Sequence, residues 1–129
     1  MKRVADVLLT WTEYAQPIHT VAVGAIGSGA LVSNEVVATL LLLYRDGPQR
    51  PTQIAELTRL TSGGATKLIT RLETAGLVVR ESGAVPTDGR AIVVSLTKSG
   101  SEKMEEFVAV VAPHVEAFID ALVAIRADA

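Results

Sequence analysis

The apolar positions of this chain change period along its length, and the middle is where the change carries most information. Ala65, Leu68, Ile69 and Leu72 recur at i, i+3, i+4 and i+7, one stripe of a helix, while Ser62, Gly63, Thr66, Lys67, Thr70 and Arg71 take the opposite side. Thr61 is placed to accept a hydrogen bond from the free N–H groups at the start of that helix. Gly76 followed by Leu77 is the pattern of a left-handed glycine that stops a helix. A shorter helix precedes it, with Thr52 as the expected cap and Ile54, Ala55, Leu57 and Thr58 facing inward. Beyond Gly76 the period falls to two. Leu77–Ser82 predicts one strand, and Ile92, Val94 and Leu96 alternate with Ala91, Val93 and Ser95 along a second. Thr97 then caps a further helix. The order helix, turn, helix, strand, charged loop, strand, helix predicts a winged helix-turn-helix between Pro51 and Gly100.

Both flanks read as amphipathic helices. Val4, Val7, Leu8, Trp11, Tyr14 and Ala15 precede Pro17, where the helix is expected to bend or end. Met104, Phe107, Val108 and Val111 extend the segment begun at Thr97 as far as Pro113, which reads either as a kink or as the first residue of a new helix. Val115, Phe118, Ile119, Leu122 and Ile125 form a last stripe. The stretch Ala15–Asn34 has no formal charge, but Pro17, His19, Ser28, Gly24, Gly27 and Gly29 leave it too weakly apolar for a membrane span. It is read as small residues that permit close helix packing, then a turn. A buried helix follows from about Glu35 to Arg45, with Val36, Val37, Leu40, Leu41, Leu43 and Tyr44, and Gly47-Pro48 ends it. The expected fold class is mainly α with a small β-wing. Residues 1–32 would be an N-terminal helical dimerisation segment, 33–98 a winged helix-turn-helix DNA-binding domain, and 99–129 a C-terminal helical dimerisation segment.

The helix from Ser62 has the make-up of one that lies in a DNA major groove: small polar groups at its start and two cations, Lys67 and Arg71, on its outward face. Gly63 and Gly64 each cost about 1 kcal/mol against alanine in a helix interior. Beside the polar face they let backbone N–H groups and the positive end of the helix come close to DNA; the plainer alternative is a first turn that frays. The loop Gly83-Ala84-Val85-Pro86-Thr87-Asp88-Gly89-Arg90 is rich in turn formers. Arg90 near its tip suits a minor groove or a phosphate, and Asp88 is positioned to pair with Arg90 or with Arg71. Taken alone the hairpin would be an ordinary one with solvated charges; directly after such a helix it reads as a wing.

The segments TSGGATKLITRLETAGLVVR and VPTDGRAIVVSLTKSG resemble the recognition helix and wing of the MarR family of transcriptional regulators. The resemblance covers the middle half of the chain closely and the helical flanks in outline, and the DGR…VSLTKSG run is its most specific part. It implies a homodimer on a near-palindromic operator, usually a repressor released by a small ligand or another signal. It assigns base or phosphate contacts to Ser62, Gly63, Thr66, Lys67, Thr70 and Arg71, and a minor-groove contact to Arg90. With the caps and the loop carboxylate, the candidate DNA-binding set is Thr52, Thr61, Ser62, Gly63, Gly64, Thr66, Lys67, Thr70, Arg71, Asp88 and Arg90. The paired glycines, and a lysine at 67 where arginine is frequent, depart from the family pattern, so base preference does not transfer.

Composition narrows the alternatives. The chain has 129 residues, a single compact domain with extensions and no room for a separate catalytic one. Its 49% apolar content is high for so short a chain, and part of that surface is expected to meet a second subunit rather than fold back on its own domain. There is no cysteine, which removes disulfides, thiolate metal sites and cysteine-based peroxide sensing. The start does not read as a secretory signal, so the cytoplasm is expected. A net charge of −2 argues against a general nucleic-acid coat, but Arg59–Arg90 sums to +2 while Ser99 to the end sums to −4. So modest a basic stretch predicts weak binding by one copy, corrected by two copies on half-sites about 34 Å apart.

His19 and His114 stand isolated, no metal-ligand spacing occurs, and no catalytic arrangement or cofactor loop is recognisable; an enzyme, a metal and a cofactor are not expected. Trp11, Tyr14 and His19 are candidates to line a pocket between the terminal helices and the winged core, suited to a small aromatic or amphipathic effector. The competing expectation is a winged helix used for protein–protein contact without DNA. Salt dependence separates the two.

Overall fold

The computed structural model of the protein describes residues 1–27, 33–82 and 91–128. The elements among them are α1 (Lys2–Ile26), α2 (Asn34–Asp46), α3 (Pro51–Thr58), α4 (Ser62–Thr74), β1 (Val78–Ser82), β2 (Ile92–Leu96) and α5 (Lys98–Ala127). The Ser33 hydroxyl opens α2 by accepting from the Val36 N–H at 3.2 Å, and Gly47 closes it at φ +81°. α3 has eight residues, too few to persist alone. It is held from the side: Ile54 is fully buried among Leu68, Ile69 and Leu72 of α4, Leu77, Val78, Val94, and Met104, Phe107 and Val111 of α5. Each such buried aliphatic side chain contributes about 1.5–3 kcal/mol. Ala22 and Ile26 of α1 join the same cluster, so both long helices are rooted in the winged core.

β1 and β2 pair antiparallel, with Val78 opposite Leu96, Arg80 opposite Val94 and Ser82 opposite Ile92. Gln49 adds a one-residue bridge on the far side of β2, donating to the Val94 carbonyl at 3.0 Å and accepting from its N–H at 2.7 Å. A compact joint links α4, β1 and α5. Gly76, at φ +78°, donates to the Glu73 carbonyl at 2.9 Å, and Leu77 donates to that of Leu72 at 3.0 Å. These two bonds satisfy two of the last carbonyls of α4, and Gly76 takes the left-handed conformation that the sequence predicts. The Thr97 hydroxyl donates to the Gly76 carbonyl at 2.6 Å and accepts from Gly100 N–H at 3.0 Å, while Thr97 N–H donates to Leu77 at 3.0 Å. Gly100 is buried at this joint, and only glycine fits there, because a β-carbon would run into the carbonyl oxygen of Leu77.

Several local expectations give way to packing. α1 continues through Pro17 and α5 through Pro113, so neither proline ends a helix and Pro113 starts no new one. Each proline removes one backbone donor, and the two helices support each other along their sides: Trp11 and Tyr14 lie 6.0 and 5.6 Å, ring centre to ring centre, from Phe118. Thr52 does not cap α3. Pro51 takes the first helical position, and the Gln53 side chain closes the turn by accepting from Arg50 N–H at 2.8 Å. Leu57 and Tyr44 are exposed rather than inward, and so is Ile92, which stands at the open end of the ladder. Among the described residues a β-carbon on Gly24 or Gly27 would meet nothing within 4 Å, so no close packing there requires these glycines; Ser28 and Gly29 lie outside the described residues. By length and composition α5 is apolar enough to cross a membrane; Met104, Phe107 and Val111, in its first half, are buried in the core.

Candidate nucleic-acid interface

The turn into α4 starts at Arg59, whose φ of +60° is unusual for a residue with a side chain. Thr61 caps the helix as expected, its hydroxyl accepting from Gly64 N–H at 3.0 Å. The first helical residues, Ser62 and Gly63, therefore carry N–H groups with no partner inside the helix. A β-carbon on Gly63 would meet nothing within 4 Å, whereas one on Gly64 would press on Thr61 Oγ1 at 3.2 Å. Gly63 thus lies on the open face, and Gly64 is fitted to the cap.

Ala65, Leu68, Ile69 and Leu72 are buried, and Ser62, Gly63, Thr66, Lys67, Thr70 and Arg71 are exposed along the other side. This is the division the stripe predicts. The threonines are committed further than sequence alone reveals. Thr66 donates to the Ser62 carbonyl at 2.9 Å, Thr70 to that of Thr66 at 2.9 Å, and Thr74 to that of Thr70 at 3.0 Å. Each hydroxyl proton is turned back onto the helix, so the face offers methyl groups and acceptor lone pairs, with the cationic donors supplied by Lys67 and Arg71.

Arg80 of β1 also reaches this helix, which the sequence reading missed. One guanidinium nitrogen pairs with the Glu73 carboxylate; the other donates to the Thr66 carbonyl at 3.1 Å and to Thr70 Oγ1 at 3.2 Å. Strand alternation was the available signal: Arg80 shares the inward side of β1 with buried Val78, where a charge requires a partner. Thr52 is exposed at the start of α3. Asp88 and Arg90, with the rest of 83–90, lie outside the described residues.

A second feature lies on the other side of the core. A cavity of about 610 Å³ opens between α1, α2 and α5, lined by apolar groups together with Trp11, Gln16, His19 and Asn34. Of the three candidates, Trp11 and His19 line this cavity; Tyr14 packs against Phe118 and is not part of the lining. Among the described residues no group of three His, Asp or Glu side chains converges as a metal site would need.

Residues 32–91, just under half of the chain, match the MarR family. The HTH-type transcriptional regulator YkoM of Bacillus subtilis (strain 168) is 41% identical over 69 residues, 54% of this chain and 44% of that protein. The chain therefore aligns with less than half the length of that relative. Among solved structures, RV1404 from Mycobacterium tuberculosis shares the fold at a TM-score of 0.76, with 19% identity over 93% of this chain and 80% of that one. NadR in complex with 4-hydroxyphenylacetate superposes at a TM-score of 0.67, with 25% identity over 88% of this chain and 73% of its own.

Proposed function

We propose that this protein, whose residues 32–91 match the MarR family, is a regulator of that kind and binds operator DNA as a homodimeric repressor, with α4 in the major groove. The observation that carries the reading is the split of α4, whose apolar stripe is buried while Ser62, Gly63, Lys67 and Arg71 face outward. In this reading Ser62 and Gly63 offer backbone N–H groups to a phosphate at the positive end of the helix. Lys67 reaches a base edge or phosphate, and the Thr66 and Thr70 methyl groups meet thymine methyls. Arg71 and Thr52 meet the backbone. The wing adds Arg90, with Asp88 orienting it.

Exposed apolar side chains support the dimer. Val4, Leu8, Leu9 and Trp11 on α1, and Val110, Ile119 and Val123 on α5, leave apolar surface on both long helices that a second copy would cover. The cavity beside Trp11 and His19 supports an effector site for a small aromatic or amphipathic molecule, and the ligand named with NadR belongs to that class. A repressor of this kind acts in the cytoplasm.

The test is selection of bound fragments from the source genome with the purified protein, followed by a salt titration of the best duplex. Near-palindromic fragments, with affinity falling steeply between low and moderate salt, are expected. No enrichment of any duplex would refute the DNA reading and favour a winged helix that binds protein. Calorimetry with 4-hydroxyphenylacetate tests the cavity; no heat and an unchanged operator affinity would count against an effector of that class.

A further inference from the structure

Arg80 is the one cation of β1, and it does not point to solvent as a groove-contacting side chain would. Its side chain is 26% exposed and that of Glu73 32%, so the pair is largely withdrawn from water. Thr66, Thr70 and Glu73 fall at i, i+4 and i+7, one flank of α4, and the guanidinium lies along that flank with bonds to all three. The Thr70 hydroxyl links the contacts. It accepts from Arg80 at 3.2 Å and gives its only proton to the Thr66 carbonyl at 2.9 Å.

We propose that Arg80 is a positioning residue for DNA reading, fixing the β-ribbon at a set angle to α4 through Glu73, Thr66 and Thr70. The inference rests on the DNA reading above and deepens it. Three of the five guanidinium donors are engaged by the helix, a planar fork that lysine cannot reproduce. Thr70 belongs to this clamp and has no proton left to donate to a base. Donation to a base edge then falls to Lys67, while the Thr66 and Thr70 methyl groups stay available for apolar contact.

The experiment uses the full chain and two duplexes, one selected by the protein and one of random sequence. Arg80→Ala should weaken the selected duplex about tenfold, leave the random duplex nearly unchanged, and keep the slope of log affinity against log salt. Arg80→Lys should fail to restore binding, and Glu73→Gln should weaken the selected duplex in the same direction. If Arg80 is instead a phosphate contact, both duplexes weaken together, the salt slope falls by about one per subunit, and Glu73→Gln tightens binding. That result, or an Arg80→Ala protein with undiminished selectivity, overturns the proposal.

A second arm needs no DNA. The chain has no cysteine, so Thr74→Cys with Ser82→Cys gives two clean sites for spin labels, on the end of α4 and the end of β1. The distance distribution between them should broaden on adding Arg80→Ala. An unchanged distribution refutes the positioning role even if no duplex binds, whereas a broadened one with no DNA binding refutes only the DNA reading.

Discussion

Replacing Gly100 with alanine tests the joint between α4 and α5. At most positions in a helix this exchange is favourable, by about 1 kcal/mol of intrinsic propensity. Here a β-carbon would overlap the Leu77 carbonyl oxygen and stand 3.0 Å from its carbon and 3.3 Å from its Cα. The obstacle is backbone, and it cannot swing aside. Relief requires moving the start of α5 by about 1 Å, since non-bonded heavy atoms settle near ~3.5 Å. Such overpacking costs about 1–3 kcal/mol. The movement also strains the Thr97 bonds to Gly76, Leu77 and Gly100, and losing the cap costs about 1 kcal/mol more. A backbone hydrogen bond adds about another 1 kcal/mol. Against the propensity gain, the net loss is about 2–4 kcal/mol, a fall in Tm of roughly 6–15 °C for a chain of this size. The assay is thermal unfolding by circular dichroism at one fixed protein concentration. Gly63→Ala is the control: nothing lies within 4 Å of its β-carbon, and it should unfold at or slightly above the wild-type temperature. A Gly100→Ala protein as stable as wild type, or a Gly63→Ala protein that falls equally, would refute this account of the joint.

The remaining tests bear on the proposed DNA complex and dimer. Lys67→Ala should cost about 1–3 kcal/mol of operator affinity, concentrated at one base position; a uniform loss over all sequences would make it a phosphate contact. Arg90→Ala should lower affinity for operator and flanking sequence alike, because phosphates and groove width carry little base identity, and intact binding would remove the wing from the interface. Leu8 is 59% exposed, so Leu8→Glu should leave the fold of the single chain within about 0.5 kcal/mol yet shift the sedimenting species to one chain. An unchanged mass would take α1 out of the dimer contact.

α4 was legible because every determinant is local: a cap at Thr61, a four-residue stripe and a left-handed Gly76. The joint was half legible, since Thr97 reads as a cap, but its second bond spans 21 residues to Gly76. The sequence left two outcomes open at both Pro17 and Pro113, and the structure removes the helix-ending one at each, because a rule about one missing donor competes with side-to-side support that no local window contains. α3 illustrates the limit of periodicity in short elements. Over eight residues Ile54 and Leu57 satisfy a helical stripe equally well, and only the neighbouring elements decide that Ile54 is buried and Leu57 is not. The candidate site follows the same division. Exposure of Lys67 and Arg71 follows from the stripe, whereas the turned-back threonine hydroxyls and the Arg80 clamp need the strand in place.

The fastening of Thr97 to the end of α4 has a mechanical consequence. α5 is a rod of 30 residues, about 45 Å long at 1.5 Å per residue, and its far end lies beside the start of α1, where Leu122 and Ile125 share a hollow with Arg3 and Val7. The rod is therefore a lever arm. A swing of about 10° about the far end carries the near end some 8 Å, more than two base-pair steps of about 3.4 Å each. If two copies pair on DNA as proposed, the bending stiffness of α5 would set the tolerance for half-site spacing, and Pro113, where one rung of the ladder is missing, would be the compliant point of the arm.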